Sequence, residues 1–450
     1  MADKKKIKYV CNECGYQSTK WMGKCPACDS WGTIEEEIEV KMSGIRKTVK
    51  NVSSTKINEV KFEKDFRVKT KYEEFDRVLG GGLTKGEVVL ITGNPGIGKS
   101  TFLLQLSNEY AKNRNVLYIS GEESVKQIKE RAVRIQVNSS KLNLLSETNL
   151  EVIEQTIENE KPEVIIIDSI QTIYSENVSS VPGSVSQIRE CSLKLIDIAK
   201  NNDISFYIVG HVTKDGKLAG PKLLEHMVDA VLSFEGDENN YYRIIRSIKN
   251  RYGSTNEISI FDMREDGVSE IKNPSEFFIS ERDEKNIGSI ITTSIEGSRV
   301  ILFEIQTLSF PIKFGIPKRV IEGYDKNRVE LLSAVVSRVF GMDLSGNDIY
   351  LNIPGGIEIK DQSADLAIVL SLISTIRSIG ISQKIAAIGE IGLRGEVRKV
   401  SFIKKRIKEL EKLGFTGVYL PKLHMTELEN FETTVKLNYI NNISELVERL

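Results

Sequence analysis

Nine residues at 93–101, GNPGIGKST, restrict the fold of this chain more than any other stretch in it. They satisfy G-x-x-x-x-G-K-[S/T] in full and stand between an apolar run, VVLIT, and a helical pattern that begins at Ser100. Glycines let backbone N–H groups turn inward around phosphates, and the helix that follows adds the positive end of its dipole. Gly93, Asn94, Pro95, Gly96, Ile97, Gly98, Lys99, Ser100 and Thr101 are therefore the expected nucleotide cradle. Such a loop needs a sheet behind it, and the chain supplies one. The runs GEVVLITG, NVLYIS, PEVIIIDS and ISFYIVGH alternate with helical patterns from Ser100, up to Val133 and after Ser184. Strands covered by helices on both faces read as such continuous apolar runs, so the expected class is α/β with a parallel sheet.

The strand ends carry the candidate chemistry. Lys99 is placed to reach the β- and γ-phosphates of ATP, and Ser100 to ligand Mg²⁺. Asp168 closes the buried run VIIID on the same sheet edge, where a carboxylate can hold the Mg²⁺ shell; an Asp there can also simply cap the next helix. Glu122, after NVLYISG, is the candidate base that orients the attacking water, with its neighbour Glu123 as the alternative. His211 ends the strand ISFYIVGH, where a polar tip can sense the γ-phosphate and pass its state to the loop that follows.

Four of the five cysteines, Cys11, Cys14, Cys25 and Cys28, form two C-x-x-C knuckles ten residues apart. Two knuckles deliver four thiolates to a tetrahedral Zn²⁺, and a unit this small has too little core to fold without the metal. The fifth, Cys191, lies in a helical pattern and reads as a packed thiol. Residues 41–71 hold ten Lys or Arg against three Asp or Glu and show no hydrophobic period, which marks a basic linker. Net charge is -1, so any contact with nucleic acid must come from local patches. No run approaches the ~18 apolar residues that span a bilayer, and the N-terminus lacks an apolar signal core, so a cytoplasmic chain without membrane contact is expected.

The stretch IKNRYGSTNEIS, 248–259, reads as the turn of a hairpin between two alternating runs, yet it opens with Lys249, Asn250 and Arg251. Taken in order, the four-cysteine unit, GNPGIGKST, YISGEES, VIIIDSIQT and KNRYG resemble the bacterial RadA/Sms recombination ATPases over nearly the whole chain. In that family the pentapeptide ends Phe-Gly, where this chain has Tyr252 and Gly253. The resemblance implies a zinc-binding finger (1–34), a linker (35–66), a RecA-like ATPase domain (67–275) and a Lon protease-like domain (276–450). It further implies a ring-shaped homo-hexamer that binds single-stranded DNA and extends recombination intermediates by branch migration, with a recombinase and a replicative helicase as partners. In such a ring Lys249 and Arg251, carried on a hairpin beyond the sheet core, are expected to reach the γ-phosphate of the next subunit as catalytic cations. Two loops are expected to meet DNA: 175–190, with Arg189, and 211–222, with Lys214, Lys217 and Lys222.

In the last part of the chain Ser363 and Lys404 fall where the Lon family keeps its nucleophile and general base. Asp361 and Gln362 replace the Gly-Pro that precedes that serine, and Asp365 replaces a glycine after it, a residue that can keep a nearby lysine charged. Proteolysis is therefore not expected. A regulatory, ATP-gated protein is the alternative to a DNA motor.

Overall fold

The structure, a computed structural model, describes residues 6–11, 16–27, 29–39, 56–59, 67–211, 223–236, 242–255, 257–279, 287–312, 315–356 and 358–448. Its contacts divide the chain into two units, Met1–Glu270 and Ile271–Leu450. Most of the basic linker, together with Cys14, Cys28, Lys214, Lys217 and Lys222, lies outside the described residues.

The N-terminal segment is an antiparallel ribbon of β1 (Lys6–Cys11), β2 (Gln17–Ser18) and β3 (Ile34–Glu39), in the order β2-β1-β3. Its core is Cys11, Cys25 and Ile34, with Tyr9 and Met22 packed against it. Apolar burial on this scale cannot outweigh chain entropy by itself.

The sheet that follows is built as the alternation of apolar runs and helices demands. A short antiparallel pair, β4 (Arg67–Val68) and β5 (Leu83–Thr84), flanks α1 (Glu73–Val78). Then come β6 (Val88–Gly93), α2 (Lys99–Tyr110), β7 (Val116–Ser120), α3 (Val125–Arg134), β8 (Leu142–Ser146), α4 (Leu150–Glu160), β9 (Val164–Asp168), α5 (Val185–Asn202) and β10 (Ser205–His211). After α6 (Leu223–Met227) the unit ends with β11 (Ala230–Glu235), β12 (Tyr242–Asn250), β13 (Ile258–Arg264) and β14 (Gly267–Glu270). Among the described residues these strands form one sheet in the order β14-β13-β12-β11-β6-β10-β9-β7-β8. From β11 to β8 the pairing is parallel, and β12 to β14 extend it as an antiparallel meander. Alternate residues of β6 feed two separate cores: Val89 and Ile91 pack with Phe75, Phe102 and Tyr207, while Val88 and Leu90 pack with Ile167, Leu195 and Phe206. This is the two-sided burial that a continuous apolar run predicts.

The second unit carries a mixed sheet. Its strands are β15 (Ser289–Glu296), β16 (Arg299–Pro311), β17 (Arg319–Glu322), β18 (Asn347–Asn352), β19 (Ile385–Ala387), β22 (Gly417–Pro421) and β23 (Lys436–Ile440), ordered β17-β18-β16-β15-β19-β22-β23. A small pair, β20 (Glu390–Ile391) and β21 (Val397–Arg398), stands apart from it. Helices α7 (Pro274–Ile279), α8 (Lys326–Phe340), α9 (Asp365–Arg377) and α10 (Ile403–Lys412) complete the unit. The apolar stretches RVILFEIQTL, DIYLNIP and TGVYL lie in β16, β18 and β22, and the helical patterns DLAIVLSLIS and FIKKRIKELEKL lie in α9 and α10.

Candidate active site

Register brings the strand ends together. His211 pairs with Gly93 across β10 and β6, and Ser120 pairs with Asp168 across β7 and β9. The carboxyl edge of the parallel strands therefore collects the P-loop, Asp168, the Gly121–Glu123 turn and His211, where open α/β sheets place their ligands. Gly93 and Gly98 have φ of 147° and 107°. A Cβ on Gly93 would lie 2.8 Å from the Phe234 carbonyl, and one on Gly98 would lie 2.7 Å from Met263 Cε, so backbone and neighbours leave room only for glycine.

Lys99 is buried and turns back over the loop, its Nζ donating to the carbonyls of Gly93 at 2.8 Å and Asn94 at 2.9 Å. Burial pulls its pKa down, while Asp168 and Glu122 pull it up. Asp168 is buried and accepts from Tyr118 Oη at 2.7 Å. Burial raises the Tyr118 phenol well above its ordinary pKa, and the adjacent Asp168 adds to this, so it stays a donor. Glu122 accepts from Ser169 Oγ at 2.6 Å and lies 3.3 Å from His211 Nε2. Glu123 points elsewhere: its side chain pairs with Arg131 on α3. The carboxylate that faces the phosphate side is thus Glu122.

The expected hairpin forms, with β12 and β13 paired antiparallel, but Lys249 and Asn250 lie in its first strand and not in its turn. β12 continues through Lys249 and Asn250, paired to β11, because the ladder to β11 persists where the sequence already shows turn residues. These residues belong to the sheet and stand at the opposite edge from the P-loop, beside the start of β11. Lys249 Nζ donates to the carbonyls of Glu225 (2.7 Å), His226 (3.1 Å) and Val228 (2.8 Å) at the end of α6. Arg251 is half exposed and lies 3.3 Å from Asp229, a buried carboxylate that also accepts from the Val88 amide. Asn250 and Gly253 have structural work instead. Asn250 bonds the Val78 carbonyl and the Tyr252 amide, and a Cβ on Gly253 would stand 2.6 Å from Gly80 Cα.

The loop at 175–190 is held in shape by buried Gln187, whose Nε2 donates to the carbonyls of Ser175, Val178 and Ser180, and Arg189 lies on α5. Cys191 is packed as expected, with burial pushing its thiol up to about 12.

In the second unit the structure corrects the dyad. Ser363 is buried and its Oγ donates to the Thr293 carbonyl at 2.9 Å. Its cationic neighbour is Arg406, 2.8 Å away and fully buried, whereas Lys404 is exposed on the outer side of α10. Arg406 also pairs with Asp361 and donates to the Thr293 and Ser401 carbonyls. Arginine keeps its charge at all working pH and takes no proton from a hydroxyl. Asp365, fully buried, pairs with Arg328 and accepts from Tyr324, so its partner is an arginine and not the lysine expected.

Sequence reading missed Tyr118, Ser169, Arg243 and Arg406. Arg243 Nε holds the Ile97 carbonyl of the P-loop at 3.0 Å from β12. Tyr118 had a signal: a phenol inside a buried strand must find a partner.

A P-loop closed over its lysine, two carboxylates and a histidine on one edge of a parallel sheet define an ATP hydrolase. Models of known families agree: an AAA domain matches residues 54–217, a rubredoxin metal binding domain 9–36, and the Lon protease (S16) C-terminal proteolytic domain 333–450. The chain is 50% identical over 429 residues to DNA repair protein RadA of Bacillus subtilis, covering 94% of each. Identity is 49% to DNA repair protein RadA of Halalkalibacterium halodurans and 48% to that of Listeria monocytogenes, each covering 93% of both chains. The chain belongs to the RadA family of DNA repair proteins. A solved KaiC-like protein from Pyrococcus horikoshii is 20% identical over 46% of this chain and 98% of its own, with a TM-score of 0.39, too slight a likeness to carry an argument. No described helix is long and apolar enough to cross a membrane.

Proposed function

We propose that this protein is a cytoplasmic, ring-forming homo-hexameric motor of DNA repair that binds single-stranded DNA and drives branch migration of recombination intermediates by hydrolysing ATP, alongside a recombinase and a replicative helicase. The observation that carries this reading is the division of labour between the two sheet edges. Phosphate-binding groups gather at one edge, and two cations, Lys249 and Arg251, sit at the other, too far to serve their own P-loop. The arrangement suits a ring in which each ATP lies between subunits.

The residues present fit Mg²⁺–ATP. Lys99 bridges carbonyls of its own loop, a position it can exchange for phosphate oxygens, and Asp168, at the carboxyl end of β9, uses one carboxylate oxygen to accept from Tyr118. Ser100 and Asp168 would hold the metal, which when bound neutralises charge on the β- and γ-phosphates. Glu122, oriented by Ser169 and His211, aligns the attacking water and accepts its proton. His211 reports on that site to the residues that follow it. Lys249 and Arg251 stabilise transition-state charge on the neighbouring subunit's ATP, a device worth about 10³ to 10⁵ in rate where it operates. Zn²⁺ fits the ribbon, since the two described cysteines form the centre of a core otherwise too small; Cys11, Cys14, Cys25 and Cys28 would hold it.

The test is ATP hydrolysis with and without single-stranded DNA at two salt concentrations. Stimulation that fades as salt rises is expected, because backbone contacts release counterions. Hydrolysis indifferent to DNA would move the reading to an ATP-gated regulator.

A further inference from the structure

Both tryptophans of the chain, Trp21 and Trp31, lie in the N-terminal ribbon, and both are exposed, at 62% and 75%. A ribbon with three core residues would gain most from burying an indole, so leaving both outside runs against its own stability. The exposure is also organised. Trp21 Nε1 donates to the Ile34 carbonyl at 3.2 Å, which fixes the ring by its edge. Trp31 pairs through its backbone with Lys24, and the Gly32 amide donates to the Gly23 carbonyl at 2.8 Å. Both rings reach the same point above Gly23: a Cβ there would lie 3.7 Å from Trp31 Cζ3 and 3.8 Å from Trp21 Cη2. The two indoles thus make one aromatic patch floored by a glycine, with exposed Lys20 and Lys24 beside it, the latter paired to Asp29 at 2.6 Å.

We propose that this patch stacks the bases of single-stranded DNA, so that the ribbon is a strand-binding site separate from the ATPase core; the proposal rests on the DNA-motor reading above. Indole faces accept any base, and neighbouring lysines meet the phosphates, which gives binding without sequence preference. Tyr16, the third exposed aromatic of the ribbon, adds to the same kind of surface. Aromatic faces beside lysines favour bases over a protein partner.

Because the ribbon holds every tryptophan in the chain, its fluorescence reports this site alone. The zinc-loaded full chain would be titrated with dye-labelled oligothymidylate, following dye anisotropy and tryptophan emission together, with excitation where thymine does not absorb. Emission is expected to quench in step with the rise in anisotropy. Trp31→Ala should weaken binding on the order of tenfold with an unchanged salt slope, since stacking and not charge is lost, and Trp31→Phe should recover most of it. Unchanged zinc content in both variants shows the ribbon intact. Anisotropy that rises without quenching, or full affinity in Trp31→Ala, would overturn the stacking site while leaving the motor reading in place. Quenching by a recombinase filament but not by DNA would instead make the patch a protein-docking surface. No rise in anisotropy at all would sink both readings.

Discussion

If Lys249 acts on a neighbour's ATP, two inactive variants should rescue each other. The geometry sets the expectation. Lys249 pairs with Val231, and Val231 pairs with Leu90, so Lys249 lies two strands from β6. Gly93 is three residues further along β6. At about 4.8 Å between strands and 3.3 Å per residue, the two backbones are roughly 14 Å apart. Lys249 Nζ is directed the opposite way, onto the carbonyls that end α6. A cis role would require the lysine to turn around and cross the sheet; a trans role requires only that it leave those carbonyls. Lys99→Ala removes phosphate binding in its own subunit but keeps Lys249, while Lys249→Ala does the reverse. Each alone should lose on the order of 10³-fold or more in hydrolysis. In an equal mixture that assembles at random, about a quarter of head-to-tail interfaces combine an intact P-loop with an intact Lys249, so hydrolysis should recover to about a quarter of the parent rate. The assay is steady-state phosphate release across mixing ratios, with co-assembly verified by a tag on one variant. Co-assembled mixtures that stay inactive at every ratio would refute the trans role.

Three further outcomes follow from buried charge. Arg406→Ala strips Asp361 and Ser363 of their shared partner and should destabilise the second unit by about 3 to 5 kcal/mol, read from denaturant melts. Arg406→Lys restores Ser–Lys chemistry in name only, because Ser363 stays buried; labelling of that variant by a serine-reactive probe would contradict the closed site. Glu87 gives a pH signature. Burial pushes its carboxyl from 4.5 up to about 7, against the Thr84 amide that donates to it. Its folded pKa lies above its unfolded one, so the folded chain holds a proton the unfolded chain has lost, and stability falls as pH rises through that window and levels off above it. Glu87→Gln should therefore be more stable than the parent near pH 8, by up to about 3 kcal/mol, with the gain shrinking near pH 5. Equal differences at both pH values would rule this out.

What the sequence showed and hid follows from the range of each signal. The P-loop and the parallel strands were legible because the phosphate cradle is a local motif and two-sided burial writes itself as unbroken apolar runs. Lys249 was misplaced onto a turn because the length of β12 is decided by its pairing with β11, a contact invisible to local pattern. The ion pair of Glu123, the alternative to Glu122, with Arg131 eight residues on is likewise hidden from local pattern. The misreading of Lys404 was avoidable. In α10 the buried residues are Ile403, Arg406, Ile407 and Leu410, the i, i+3, i+4, i+7 stripe of an amphipathic helix. That spacing alone puts Arg406 on the core side and Lys404 on the outside. A charged residue inside an apolar stripe requires a partner, and Asp361, partly buried and out of place for a protease turn, is that partner. Asp361 and Arg406 thus offset each other's charge, and with the Thr293 carbonyl they hold Ser363 as a structural serine.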